Sequence, residues 1–355
     1  MRRVFVIVPS ASLSSPVKGA VALANAICRD RQVSVIALKP PAHAFALLDD
    51  RVERISLAHA GTWSARLRAL RRILAGAGGR QSVATVSFCF SADVLNAFCG
   101  DLAVTCATVR GNLPEVYPET YGACGRWIGH GHLALLRQMD HVVSMTQSMA
   151  QQVQRHIGRT SAVIPNFIDE APLEQYRSAS VAAGPLRFVF TGSMQRGKQP
   201  HVLIDALRTL QERGIDAHID AFGDGPLLED VRRHASTLRI PGRVRFHGHV
   251  EQPYEAIASA HALVLPSLTE GTSRSALEAL FLGVPCVLRN IDGTHELIEQ
   301  GCNGALFDSD DQLPDRMVDV ARWSASRTGP VESLLPAAFR QKRAADAYLG
   351  LLDRT

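Results

Sequence analysis

At 355 residues the chain exceeds one ordinary core and suits two α/β domains of typical size with a cleft between them. Hydrophobic residues at 46%, charged residues at 20% and a mean hydropathy near zero exclude a disordered or fibrous chain, and no apolar run reaches the length of a membrane span or a signal sequence. Charge is uneven: residues 1–185 carry 19 Lys+Arg against 12 Asp+Glu, a net +7, and residues 186–355 carry 19 against 22, a net −3. A basic first half favours an anionic surface or a phosphate-bearing substrate.

In chain order, Val4 to Val8 is a continuous apolar, β-branched run, followed by a loop, an amphipathic stretch from Val17 to Cys28, and Val33 to Leu38. The pattern predicts strand, helix, strand. Val83 to Phe90, Ala103 to Val109, His141 to Ser144 and Ser161 to Pro165 continue the series. Continuous apolar runs separated by helical patterns indicate parallel strands covered on both faces, hence a doubly wound sheet. Residues 171–185, rich in small residues, Pro and Gly, read as a linker between a first domain (1–170) and a second (186–336). A second series runs through Leu186–Thr191, His218–Phe222, Val244–Phe246, Ala262–Pro266 and Pro285–Arg289. The last helical pattern, Ala337 to Leu352, is expected to cross back onto the first domain, which would then include residues 337–355.

The cysteines, Cys28, Cys89, Cys99, Cys106, Cys124, Cys286 and Cys302, form no CxxC pair and read as reduced, buried residues of a cytosolic protein. Between Trp63 and Leu74, apolar residues at Trp63, Leu67, Leu70 and Leu74 alternate with arginines. Such a helix suits either an anionic lipid surface or a core-packed position with a solvated basic face. No module for nucleic acid is visible. His130 and His132, in Gly-His-Gly-His, lack companion metal ligands and read as surface or loop histidines.

In open α/β sheets ligands bind beyond the carboxyl ends of strands, where helix N-termini offer N–H groups to phosphate. Three segments of the second half stand at such places. The first, Thr191-Gly192-Ser193-Met194-Gln195-Arg196-Gly197-Lys198, offers glycines for close backbone approach and two cations; it is not a Walker A loop, because Gln199 follows the lysine. A plain strand-to-helix turn with surface cations competes with that reading. The second, Phe222-Gly223-Asp224-Gly225-Pro226, is a glycine turn. In the third, a strand stops at Pro266, a polar loop carries Glu270-Gly271, and a helix capped by Thr272 or Ser273 carries Glu278 more than a turn inside. Two carboxylates so placed suit hydroxyls of a sugar and a ribose, against the alternative of surface salt bridges.

Taken together, Gly192 to Lys198, Gly223 to Pro226, His247-Gly248-His249-Val250, Pro266 to Gly271, Leu277-Glu278-Ala279, Gly283-Val284-Pro285 and Gly293 to Gly304 resemble the donor domain of glycosyltransferase family 4. The resemblance implies a GT-B fold, two Rossmann-like domains facing a cleft. It also implies sugar transfer from a nucleotide-diphosphate sugar, UDP-sugar favoured, with retained anomeric configuration and neither metal nor cofactor. On it, Lys198 meets the diphosphate, Glu270 the donor sugar, Glu278 the ribose, and Gly271, Thr272 and Ser273 the sugar and phosphate through backbone N–H groups. Gly192, Ser193, Gly223, Gly225 and His247 complete the donor side. Ser193 stands where the family usually has a diphosphate-binding arginine, and Arg196 is the nearest replacement.

The first half resembles the family more loosely. Its usual loop acid is replaced in Ser14-Ser15-Pro16-Val17-Lys18-Gly19 by Lys18, which suits an acidic acceptor or is a solvated helix-end lysine. Arg110 and Asn112, in Val109 to Tyr117, join Lys18 as candidate acceptor-binding residues, and Asn166 is assigned to the hinge. The resemblance implies a saccharide or lipid-linked acceptor of surface polysaccharide assembly and a cytoplasmic protein held peripherally on the membrane. The competing reading is a catalytically weak module that binds sugar nucleotide or scaffolds an assembly complex.

Overall fold

The computed structural model describes residues 1–12, 14–40, 43–177, 184–327 and 331–354. It divides into one unit of Met1–Asp169 with Ala337–Thr355 and a second of Glu170–Pro336. The first unit opens with β1 (Arg3–Ser10), α1 (Ser15–Ile27), β2 (Val33–Lys39), β3 (Glu53–Ser56), α2 (Trp63–Gly76), β4 (Val83–Phe88) and α3 (Phe90–Asn96). It continues with β5 (Val104–Val109), α4 (Leu113–Tyr121), α5 (Gly125–Leu135), β6 (His141–Ser144), α6 (Gln147–Ile157) and β7 (Ala162–Val163). All seven strands are parallel, in the order β3-β2-β1-β4-β5-β6-β7. Val4, Val6 and Val8 face one core with α1, whereas Phe5 and Ile7 face the other with Leu70 and Leu74 of α2, so the continuous apolar run serves two layers at once.

The second unit contains β8 (Leu186–Thr191), α7 (Pro200–Glu212), β9 (Ala217–Phe222), α8 (Leu228–Thr237), β10 (Val244–Gly248) and α9 (Tyr254–Ala258). After these come β11 (Ala262–Leu265), α10 (Arg274–Phe281), β12 (Cys286–Arg289), β13 (Gly304–Phe307) and α11 (Leu313–Ser326). Its sheet is again parallel, in the order β10-β9-β8-β11-β12-β13. Each sheet reverses its winding once, between β1 and β4 in the first unit and between β8 and β11 in the second. Such a switch point is where loops part and a ligand enters.

The last helix, α12 (Gln341–Leu352), belongs to the first unit, where Ala344, Ala345, Tyr348 and Leu352 are buried in the α1 core. Arg31 pairs with Asp353 at 2.6 Å, and Gln341 Nε2 donates to the Ala22 carbonyl at 2.9 Å. No helix among the described residues is long and apolar enough to cross a membrane.

Four expectations change. The segment 171–185 is not linker throughout: Ala171–Tyr176 forms a 3-10 turn whose Tyr176 ring lies 5.6 Å from that of Tyr254, while residues 178–183 fall outside those described. Two further strands join the sheets, β3 and β13. Of the cysteines, Cys124 and Cys302 are exposed; burial raises the thiols of Cys89, to about 11, and Cys99, to about 12. His132 is neither a surface nor a loop residue but lies 3% exposed within α5.

Candidate functional site

The three glycine-bearing segments of the second unit converge at the carboxyl edge of its sheet. Gly192 N donates to the Phe222 carbonyl at 3.0 Å and Met194 N to that of Asp224 at 2.9 Å, so the loop after β8 is tied to the loop after β9 through backbone alone. Gly223, at φ +134°, has no room for a side chain, because a Cβ there would overlap the Gly192 carbonyl oxygen; Gly225, at φ +155°, stands against Met194 in the same way. The third loop docks from the other side: Leu268 N donates to the Gly197 carbonyl at 2.8 Å, and Ser275 Oγ to that of Thr191 at 3.2 Å.

These ties bring Lys198, after β8, against Glu270, after β11, on either side of the switch point. Lys198 Nζ and the Glu270 carboxylate form an ion pair, and Ser267 Oγ donates to Glu270 Oε1 at 3.0 Å. Lys198 ends a short 3-10 turn, Arg196–Lys198, and Gln199 follows at φ 49°, a left-handed conformation unusual outside glycine that starts α7. Ser193 and Arg196 are exposed on the same loop.

Helix α10 starts where Gly271, Thr272 and Ser273 lead into it. Ser273 is its cap, accepting from Ala276 N at 3.5 Å, and it, Thr272 and Glu278 are buried. An N-terminus reached through a polar loop offers N–H groups and a partial positive charge to an anion. His247, at the end of β10, has its imidazole stacked on Phe222 at 4.3 Å and bonded to Asp220 at 2.6 Å. Asp292, His295 and Glu296 bring potential ligand atoms within 4.8 Å of one another near the surface.

In the first unit, Lys18 is half-buried in the first turn of α1. Arg110, just after β5, donates to Asn166 Oδ1 at 2.9 Å and lies 5.6 Å from the Phe88 ring centroid. Asn112 Oδ1 accepts from Gln152 Nε2. These residues form a polar rim at the carboxyl end of that sheet. Asn166 is buried and joins the loop after β5 to the segment after β7.

Beneath that rim lies a network absent from the sequence reading. Asp93, fully buried in the first turn of α3, accepts from Ser87 Oγ at 2.6 Å and is bonded to His132 Nε2 at 2.8 Å. His132 Nδ1 in turn meets the Tyr117 hydroxyl at 2.6 Å. Thr85 and Asn96 extend the chain, Thr85 Oγ1 donating to Asn96 Oδ1 at 2.6 Å and Asn96 Nδ2 to Ser87 Oγ at 3.0 Å. Burial raises the Asp93 carboxyl above its ordinary range, and the bond from His132 pulls it back in part. Burial likewise raises the Tyr117 hydroxyl. The network locks α5 to α3 and to β4. Gly125 and Gly129 let α5 lie directly on the backbone of α4, since a Cβ on either would overlap it at Tyr117 or Leu113.

Comparison with known proteins adds to this geometry. Over its whole length the fold matches HepE of Anabaena solved with UDP and glucose, at a TM-score of 0.79, 16% identity and full coverage of both chains. It also matches the lipopolysaccharide outer core galactosyltransferase WaaB, at a TM-score of 0.69 and 13% identity over 98% of each chain. The fold is GT-B.

Residues 185–323, most of the second unit, match the family model described as Glycosyl transferases group 1. Among curated proteins, the glycogen synthase of Mycobacterium tuberculosis is 30% identical over 52% of this chain and 45% of its own length. The lipopolysaccharide core biosynthesis glycosyltransferase LpsE of Rhizobium meliloti is 27% identical over 62% of this chain and 66% of its own. The matches thus span about half to two thirds of these relatives.

Proposed function

We propose that the chain is a retaining glycosyltransferase of family 4. It moves a sugar from a nucleotide-diphosphate sugar, UDP-sugar favoured, to a saccharide or lipid-linked saccharide acceptor in surface polysaccharide assembly. The observation that carries this reading is the juxtaposition of Lys198 with Glu270 across the switch point, beside the start of the helix that holds Glu278. Support comes from the names of relatives, LpsE in lipopolysaccharide core biosynthesis and an Escherichia coli enzyme transferring galactose from UDP-Gal to a diphosphoundecaprenol-linked sugar. A further support is the UDP and glucose held by HepE.

The chemistry follows from charge. Departure of a nucleoside diphosphate leaves negative charge on oxygen and an oxocarbenium-like sugar, so stabilising the diphosphate lowers the barrier most. Lys198, Arg196 and the N–H groups of Gly271 to Ser273 serve that purpose. Glu270 orients the sugar and Glu278 holds the ribose. The departing phosphate oxygen takes the acceptor's proton on the face from which it leaves, so the new bond keeps the old configuration and no glutamyl intermediate is formed. Lys18, Arg110 and Asn112 are assigned to the acceptor.

An anionic membrane surface is a further proposed partner. In α2, Leu70 and Leu74 are buried whereas Arg68, Arg72 and Trp63 are exposed, and Trp63 carries Lys39 over its ring at 5.6 Å. Sedimentation with phosphatidylglycerol vesicles, strong at low salt and lost at high salt, checks this contact.

The reading is tested by thermal shift with UDP, GDP, ADP and their glucose conjugates. A ligand at a hundred times its Kd stabilises by about 2.7 kcal/mol, so one nucleotide class should raise the melting temperature by several degrees and the others should not. No shift with any of them sinks the donor assignment. Ser193, exposed where the family carries arginine, favours the second reading, a catalytically weak binding module; a clear shift without turnover on any acceptor would select it.

A further inference from the structure

The cation assigned to the diphosphate is paired with the carboxylate assigned to the sugar. Lys198 and Glu270 are largely enclosed, their side chains 23% and 12% exposed, and Ser267 holds the carboxylate from a second direction. Their loops are joined through Leu268 N and the Gly197 carbonyl, so the pair can part and reform by side-chain rotation alone. We infer that Glu270 is an internal competitor of the diphosphate for Lys198, which makes the site favour a sugar nucleotide over the bare nucleoside diphosphate and helps expel the latter after transfer. This rests on the donor reading of the site.

A sugar nucleotide supplies partners for both groups: the diphosphate takes the ammonium, and the sugar hydroxyls take the carboxylate that the ammonium gives up. A nucleoside diphosphate supplies only the first. Glu270 is then left partly buried, without its counter-ion and beside two negative phosphates, where reduced solvent screening strengthens the repulsion. Once the sugar has been transferred the enzyme stands in that second state. The carboxylate's return to Lys198 then drives release, by competition between two anions for one cation. No bond is made or broken by Glu270 in this step.

Calorimetric titration tests it with whichever of UDP, GDP and ADP binds wild type best, and with its glucose conjugate. Glu270→Gln keeps the side chain's shape and an acceptor for Ser267 while removing its charge. It should bind the nucleoside diphosphate about tenfold more tightly than wild type, the gain expected from removing one competing charge at a partly screened site. The conjugate should gain less or lose affinity, so the preference for it over the diphosphate narrows. Asp319→Asn, on the exposed face of α11, is the control for a general loss of negative charge and should not tighten the diphosphate. Unchanged or weaker diphosphate binding by Glu270→Gln, or equal tightening by both variants, overturns the inference with the donor reading intact. Failure of wild type to bind any of the three or their glucose conjugates overturns both.

Discussion

Lys198→Ala is expected to lower turnover with a sugar nucleotide by about 10²–10³-fold, the usual cost of removing one group that stabilises charge developing on a leaving oxygen. The lysine stands between the glycine loop after β8 and the loop after β11, its side chain 23% exposed, and the proposed mechanism assigns its ammonium to the diphosphate without help from a metal. Arg196 is exposed on the same turn. Arg196→Ala should therefore cost less than Lys198→Ala but more than loss of an arginine elsewhere on the surface, and Arg196→Lys should recover only part, because a lysine lacks the planar fork that grips two phosphate oxygens. Steady-state kinetics decide it. Wild-type turnover in Lys198→Ala would remove the lysine from the mechanism, and wild-type turnover in Arg196→Ala would leave it as the one cation of the site.

The largest effect on stability is expected at Asp93, which no substrate needs to touch. Asp93→Ala leaves the His132 ring N–H and the Ser87 hydroxyl buried without their acceptor, and breaking a buried pair of this kind costs about 3–5 kcal/mol. Asp93→Asn keeps an acceptor oxygen and should lose distinctly less. Urea denaturation of both variants separates charge from hydrogen bonding. A midpoint unchanged in Asp93→Ala would mean that the network is not what secures α5 to the sheet.

That network also marks where sequence reasoning stopped. Thr85 and Ser87 stand in a run read as continuous apolar strand, and Asp93 and Asn96 lie in the helix behind it; buried polar groups require partners, and four at such spacing were the available signal. His132 was misread because its partners are 39 and 15 residues away in sequence. The strand β3 was missed for the opposite reason. Glu53 and Arg54 face outward on a sheet edge, and the carboxylate of Glu53 is taken by Arg3 and Ser34, so no apolar run announces it. For β13 the cue was a single glycine: Gly304 must be bare because a Cβ would overlap the Cys286 carbonyl oxygen of the neighbouring strand.

The central strands were legible because burial on both faces forces continuous β-branched and apolar runs, and the glycines of the second unit because two backbones meet there. The pairing of Lys198 with Glu270 was not. Each was read as a contact to ligand, and only the docking of one loop on the other shows them as contacts to each other.

The most direct test of the proposed chemistry is proton NMR of the product formed from the nucleotide sugar that binds best, with the reaction run in EDTA. The account predicts transfer at an undiminished rate and the same anomeric configuration in product as in donor. An inverted linkage, or activity abolished by EDTA and restored by a divalent ion, would contradict it.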